Sequence, residues 1–382
     1  MRRREFMQRA LILAGAGGGW AQVAHTADFT YASVVPGVAL QFPRDYGSHP
    51  EHRIEWWYVT GWLERVNPTN APPCGFQVTF FRVRTPLQAG TSRFTATQLL
   101  FAHVAVSDLR VGHILHEERA ARAGFRLAEA SAIDTNVLIR DWRMRRERSG
   151  IYKTTIQAKE FALRLALQPT QAVLLQGRDG FSQKGPAIDN ASYYYSEPHL
   201  RVSGELTVRG KREAVSGRAW LDHEWSSTLM PAGAIGWDWL GLNLDDGGAL
   251  MAFQLRGGNE LRSGGNELRS SNQPASAIWS AAKLRDADGT VLQPAPNTLA
   301  FAPSRYWTSP QGGRYPVETR ITLGERSLHL RPLFDAQELH AQTMGNTYWE
   351  GAVTAYEGVG ANAKRVGRGY WELTGYGKPL RM

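Results

Sequence analysis

A single cysteine, Cys74, stands in 382 residues. That excludes an intramolecular disulfide and a thiolate metal cluster, so stability has to come from packing. No Gly-x-Ser-x-Gly elbow occurs, and a serine hydrolase of that type has no support. The run His49-Pro-Glu-His52-Arg-Ile-Glu55 lacks the helical His-x-x-x-His spacing of a zinc site, and no metal site is expected there. No cofactor motif is visible, so none is expected. The densest basic run, Arg140 to Arg148, has no nucleic-acid motif beside it and reads as a solvated strand and turn. Helical periodicity is also scarce. Only His116–Gly124 and the short stretch after Phe334 read as helices.

What the chain does have is 13 Trp, 13 Tyr and 39 Gly, with 42% hydrophobic and 21% charged residues, a composition that leans towards sheet and turn. The length fits two ordinary domains. At the amino terminus a basic head precedes an apolar stretch from Leu11 to Gly19 and small residues at Ala21 and Ala24, the pattern of a removable export signal over residues 1–27. Arg3-Arg4-Glu5-Phe6-Met7 resembles the twin-arginine signature. The expectation is a periplasmic or secreted protein that does not span the membrane once the signal is removed, the apolar stretch being short for a span. Loss of the leader would lower the formal charge from +9 to +6, taking four arginines and Glu5.

Beyond residue 27, segments of period two alternate with Gly, Pro, Asn and Asp clusters, which predicts antiparallel sheet throughout. The fold class is all-β, with two antiparallel barrel domains in tandem over residues 28–230 and 231–382. The run from Trp237 to Arg256 reads as a hairpin turning at Asp245-Asp246-Gly247-Gly248. A tandem duplication of Gly-Gly-Asn-Glu-Leu-Arg-Ser from Gly257 to Ser270 reads as an exposed loop insertion without function. A fainter echo between Trp57–Trp62 and Trp371–Tyr376 suggests duplication of the barrels.

The stretch Gly217 to Ser227 sets Asp222, His223 and Glu224 between Trp220 and Trp225. On a strand, Leu221, His223 and Trp225 share one face, and Trp220, Asp222 and Glu224 share the other. Acids against indoles suit either an apolar pocket with a few placed polar groups or a hydrogen-bonded scaffold. Trp56 and Trp57, and likewise Trp237 and Trp239, are read as alternating faces, so one of each pair is expected to be plain core. Tyr193, Tyr194 and Tyr195 read as a barrel rim with one or two rings turned inward.

Several segments together resemble the carotenoid 1,2-hydratase and AttH-like family of two-domain lipocalin-like proteins, whose members often carry the label of secreted hydrolase. They are HRIEWWYVTGWL, FAHVAVSD, LQGRDGFSQKG, SYYYSEPHLRVSG, VSGRAWLDHEWSS and GWDWLGLNLDDGGALMAFQLR, with YWEGAV and GRGYWELTGY near the end. The resemblance covers about Phe42 to Tyr376. It implies two lipocalin-like barrels holding an extended apolar ligand, such as an isoprenoid, polyene or lipid, in or between them. The hydratases have Asp-His-Asn-Trp where this chain has Asp222-His223-Glu224-Trp225, and the Tyr-x-Asp pair of their next hairpin is absent from Leu250–Gln254.

The catalytic reading is acid-assisted hydration or isomerisation of a carbon–carbon double bond, which needs a carboxylic acid that stays protonated and π faces around the resulting cation. The candidates are Asp222, Glu224 and Glu55 as acids, with His223 or His103 orienting water. Trp56, Trp57, Tyr195, Trp225, Trp237 and Trp239 are the candidate walls. The competing structural roles are buried carboxylates paired with arginine for Glu55 and Glu224, and a core histidine for His103. The rival function is a ligand-binding accessory of a membrane transporter, without turnover, since AttH-type members are commonly associated with such transporters.

Overall fold

In the computed structural model, the described residues are 29–379 except 69, 88–91, 93, 229, 232, 258–275, 342–344 and 359. The leader and nearly all of the Gly257–Ser270 duplication therefore lie outside the described residues. Tyr31–Met382 forms one compact unit that contains both barrels.

The first sheet is built from β1 (Ile54–Arg65), β2 (Cys74–Arg84), β3 (Gln98–Asp108), β4 (Ile114–Arg122), β5 (Ala128–Ala130), β6 (Asn136–Ile139), β7 (Trp142–Arg146), β8 (Tyr152–Gln157), β9 (Phe161–Gln168), β10 (Leu174–Leu175), β11 (Phe181–Gln183), β12 (Ala191–Val208) and β13 (Lys211–Ser226). Its order is β4-β3-β2-β1-β13-β12-β9-β8-β7-β6-β5, all antiparallel, and β3 and β4 approach β6 to curl the sheet into a near-barrel. The second sheet comprises β14 (Ala234–Leu244), β15 (Ala249–Gly257), β16 (Ser276–Arg285), β17 (Val291–Leu292), β18 (Leu299–Thr308), β19 (Arg314–Leu323), β20 (Arg326–Pro332), β21 (Glu338–Ala341), β22 (Asn346–Glu357) and β23 (Lys364–Thr374). Its order, β17-β16-β15-β14-β23-β22-β20-β19-β18, repeats the plan of the first. In both, the first strand of the barrel pairs with the last.

Side-chain alternation sends one residue of each neighbouring pair inward and the other outward. The first interior packs Trp57, Val59, Phe76, Phe80, Leu221 and Trp225, and the second packs Leu240, Leu242, Trp349, Val353 and Trp371. The outward faces of the two sheets pack against each other through Tyr58, Trp62, Tyr194, Trp220, Trp239 and Tyr370. Trp62 Nε1 donates to the Gly369 carbonyl at 2.9 Å, and Trp239 Nε1 donates to Tyr194 Oη at 3.2 Å, so the contact is specific as well as apolar.

Two helical expectations fail. His116–Gly124 falls mainly on β4, whose backbone is paired to β3 from Leu99↔Arg122 to Ser107↔Ile114. The stretch after Phe334 runs into β21, paired to β22, with no helix. The expected hairpin is present, with β14 paired to β15 across Asp245–Gly248. Trp237 and Trp239 are two apart and so share a face, correcting the expectation that one of them is plain core. The echo between Trp57–Trp62 and Trp371–Tyr376 links β1 to β23, which hold different places in their barrels; by strand order β23 corresponds to β13. No helix among the described residues is long and apolar enough to cross a membrane.

Candidate functional site

A cavity of about 190 Å³ lies where the outward faces of β1, β2 and β13 meet those of β14, β15, β22 and β23. One water-sized position needs about 10–15 Å³, so this space admits a small organic body. Its wall is mostly apolar, with Trp56, Tyr58, Phe81, Trp237, Trp239, Phe253 and Tyr348 as the large rings. Four carboxyl groups also line it: Asp222, Glu224, Glu350 and Glu372.

Asp222 is placed by the register Tyr58↔Asp222↔Ser196. Its Oδ1 accepts from Ser196 Oγ at 2.5 Å and Trp220 Nε1 at 2.6 Å, and its Oδ2 accepts from Tyr194 Oη at 2.7 Å. Burial raises its pKa and those three donors lower it; burial prevails and the carboxyl is pushed up to about 7. Near neutrality it exchanges a proton readily.

Glu224, on the same face, is tied to Lys184 Nζ at 3.0 Å and to the Ser192 hydroxyl. Lys184 also sits over the Tyr194 and Phe253 rings, 4.3 and 5.1 Å from their centroids. This wall therefore holds an ammonium between a carboxylate and aromatic faces.

Glu350 and Glu372 stand directly opposite each other on β22 and β23. Burial and then the neighbouring Glu372 carboxyl push Glu350 well above the usual range, and burial raises Glu372 to about 7. Two adjoining carboxyls in such a site do not both ionise. Glu350 is 2% exposed; the Tyr58 hydroxyl beside it favours its charged form as a hydrogen-bonding neighbour, yet neither that hydroxyl nor Glu350 Oε1 has a protein partner at full hydrogen-bond geometry.

The sequence-derived candidates separate by face. Asp222, Glu224, Trp56, Trp237, Trp239 and His103 line the cavity. His223, Trp225, Tyr195, Trp57 and Glu55 do not, because they occupy the opposite parity of β1, β12 and β13 and point into the first barrel. There Glu55 accepts from Arg82 Nε at 2.7 Å and bonds His49 Nδ1 at 2.7 Å and His223 Nε2 at 2.9 Å. Burial opposes its charge, but Arg82, His223 and His49 overcome that and hold its carboxyl well below the usual range. Glu55 is therefore a buried carboxylate rather than a cavity acid. His223 is fully buried, hydrogen-bonded to Tyr195 Oη at 3.1 Å and stacked on Trp57, so it cannot orient water in the cavity.

His49 stacks on Trp225 at 3.7 Å and reaches Asp45 Oδ1 at 3.2 Å. The ligand atoms of His49, Glu55 and His223 lie within 4.8 Å of one another, a spacing that invites a metal reading. The adjoining Arg82 guanidinium already supplies the positive charge that a metal would bring, so the donor set fits a cation poorly. His103 bonds Tyr348 Oη at 2.8 Å across the barrels, and burial lowers its pKa to about 4, leaving the ring neutral.

Glu350, Glu372 and Lys184 are the residues that sequence reasoning missed. A signal existed for Glu372. Aligning β13 with β23 by strand order sets Gly217-Arg218-Ala219-Trp220-Leu221-Asp222 beside Gly367-Arg368-Gly369-Tyr370-Trp371-Glu372, so each closing strand carries an acid at the same place.

The comparisons agree with this architecture. Residues 33–376 match the model of the AttH-like family. A crystal structure from Nitrosomonas europaea, described as an AttH, is 47% identical with a TM-score of 0.79, covering 90% of this chain and 99% of that one. Kievitone hydratase from Nectria haematococca is 15% identical with a TM-score of 0.64, covering 91% and 96%, a likeness of fold. No curated protein matches the sequence. The chain belongs to the AttH-like family.

Proposed function

We propose that this AttH-like protein binds an extended apolar molecule, an isoprenoid or polyene, between its barrels and adds water across one of its carbon–carbon double bonds. The observation that carries this reading is the cavity itself: carboxyl groups without counter-charge, held against seven Trp, Tyr and Phe rings. Environments that push neighbouring acids to different pKa values assign acid and base roles. The Glu350–Glu372 pair retains a proton and is the acid. Asp222, served by three donors, is the base.

In the proposed step, the O–H bond of the pair's carboxyl breaks and a C–H bond forms at the less substituted alkene carbon. The cation left on the other carbon faces the indoles. Water forms the C–O bond and passes a proton to the Asp222 carboxylate; Asp222 then releases that proton to solvent at the cavity mouth as solvent returns one to the pair, so that the cycle closes. That a fold-level relative is named a hydratase supports the reading only as analogy. The twin-arginine-like leader supports work outside the cytoplasm.

The test is incubation of the full chain with a panel of acyclic isoprenoid polyenes in water enriched in heavy oxygen. The reading predicts a product heavier by one labelled water, abolished by Glu350→Gln and by Asp222→Asn. No labelled product from any polyene, or one that survives both substitutions, would contradict it.

A further inference from the structure

We infer that the cavity is a binding site for an organic cation with an apolar body, for which Glu350 and Glu372 supply the counter-charge. The inference deepens the proposed function, since it names the charge carried by a molecule taken into the same cavity. Its first support is a mismatch of charge. Four carboxyls face the space, while Lys184 is the cationic side chain on the described wall, and it is engaged by Glu224. Among the described residues, neither Glu350 nor Glu372 has an ion pair.

The second support is a polar atom without a use. Glu350 is 98% buried and lines the cavity, and its Oε1 has no donor. Buried carboxyl oxygens are normally hydrogen-bonded, so one without a protein donor that lines a cavity is open to a partner from outside the fold. The third is internal precedent. Lys184 shows that this wall accepts an ammonium, set between the Glu224 carboxylate and the faces of Tyr194 and Phe253. Trp237, Trp239 and Trp56 line the same cavity as the acids that lack an ion pair, and an indole face can hold an ammonium as the Tyr194 and Phe253 rings do.

The groups acting on the pair are Tyr58, Tyr348 and Tyr370 as neutral phenols, Trp237 as a hydrogen-bonding neighbour of Glu372, and Asp222 and Glu224 with its Lys184. A bound cation favours ionisation of the pair, so binding expels protons and tightens as pH rises. A quaternary ammonium is also a stable likeness of the carbocation in the proposed hydration.

The experiment is calorimetry on the full chain with hexyltrimethylammonium and its uncharged isostere 2,2-dimethyloctane, in buffers of differing ionisation heat. We expect the ammonium to bind about tenfold or more tightly than the isostere, with proton release and with affinity rising with pH. The variant Glu350→Gln/Glu372→Gln, which copies the protonated acids in shape, should lose that preference while still binding the isostere. Equal affinity for the two probes, binding without proton release, or a preference that persists in the variant would overturn the inference. Ammonium preference without hydration of any polyene would remove the catalytic reading alone, and hydration without ammonium preference would remove this inference alone.

Discussion

Asp222 and His223 are consecutive in the chain and belong to different compartments: Asp222 faces the cavity between the barrels, and His223 faces the interior of the first. Strand alternation alone separates them. The three titratable side chains that looked like one constellation are two, a pair of cavity acids and a member of a buried ion cluster.

Removing charge from that buried cluster should damage the fold. Glu55→Gln leaves the Arg82 guanidinium, itself fully buried, without its carboxylate. Breaking such a pair from one side costs about 3–5 kcal/mol. Urea unfolding should show a loss of that size, and Glu55→Gln/Arg82→Met should be less destabilised than the single variant.

Stability should depend on pH in two separate windows. Asp222 is raised in the fold from 3.8 to about 7, so the native chain keeps a proton that the unfolded chain releases. Its contribution is full below 3.8 and declines until pH passes about 7. The shift corresponds to roughly 4 kcal/mol, an upper figure. Glu372 behaves alike. Glu55 has the opposite sign: its contribution is present above 4.5 and is lost as pH falls through its depressed folded value. His49, raised above 6.5, adds a decline only above that pH. Chemical denaturation from pH 4 to 6.5 should therefore show a falling slope that Asp222→Asn flattens.

Tyr194 Oη donates to Asp222 Oδ2, and Trp239 Nε1 donates to Tyr194. Tyr194→Phe removes a donor to a charged acceptor, worth about 1.5–3 kcal/mol to the ionised form. The Asp222 titration should move further up, which carbon-13 carboxyl NMR reads directly. The pH limb of activity governed by the base should move with it.

The barrels approach closely at Gly75. A Cβ there would lie 2.6 Å from Ala352 Cβ and 2.7 Å from Tyr370 Oη. Gly75→Val should force the sheets apart, at about 1–3 kcal/mol or more for overpacking. The expected signs are a lowered Tm and a shift in tryptophan emission, with ammonium and isostere binding weakened together.

Much of the architecture was legible because antiparallel strands declare themselves by period two and by turn residues such as Asp245–Gly248. The facing of Asp222 against His223 was legible for the same reason. His116–Gly124 misled because Glu, Arg and Ala favour helix locally, whereas pairing of β4 with β3 decides its state. Glu350 and Glu372 stayed hidden because an acid after a tryptophan on a strand looks solvated until the partner barrel covers it. Which strand faces meet across two barrels is a tertiary fact, and no local pattern in β22 or β23 carries it.

The central claim is that the cavity keeps carboxyl groups protonated at neutral pH. Carbon-13 NMR of the full chain labelled at Asp and Glu carboxyls, titrated across neutrality and assigned with Asp222→Asn, Glu350→Gln and Glu372→Gln, tests it most directly. The account predicts that Asp222 and Glu372 titrate near 7 and that Glu350 remains protonated there. If all three were ionised throughout, with ordinary carboxylate values, the account would be contradicted.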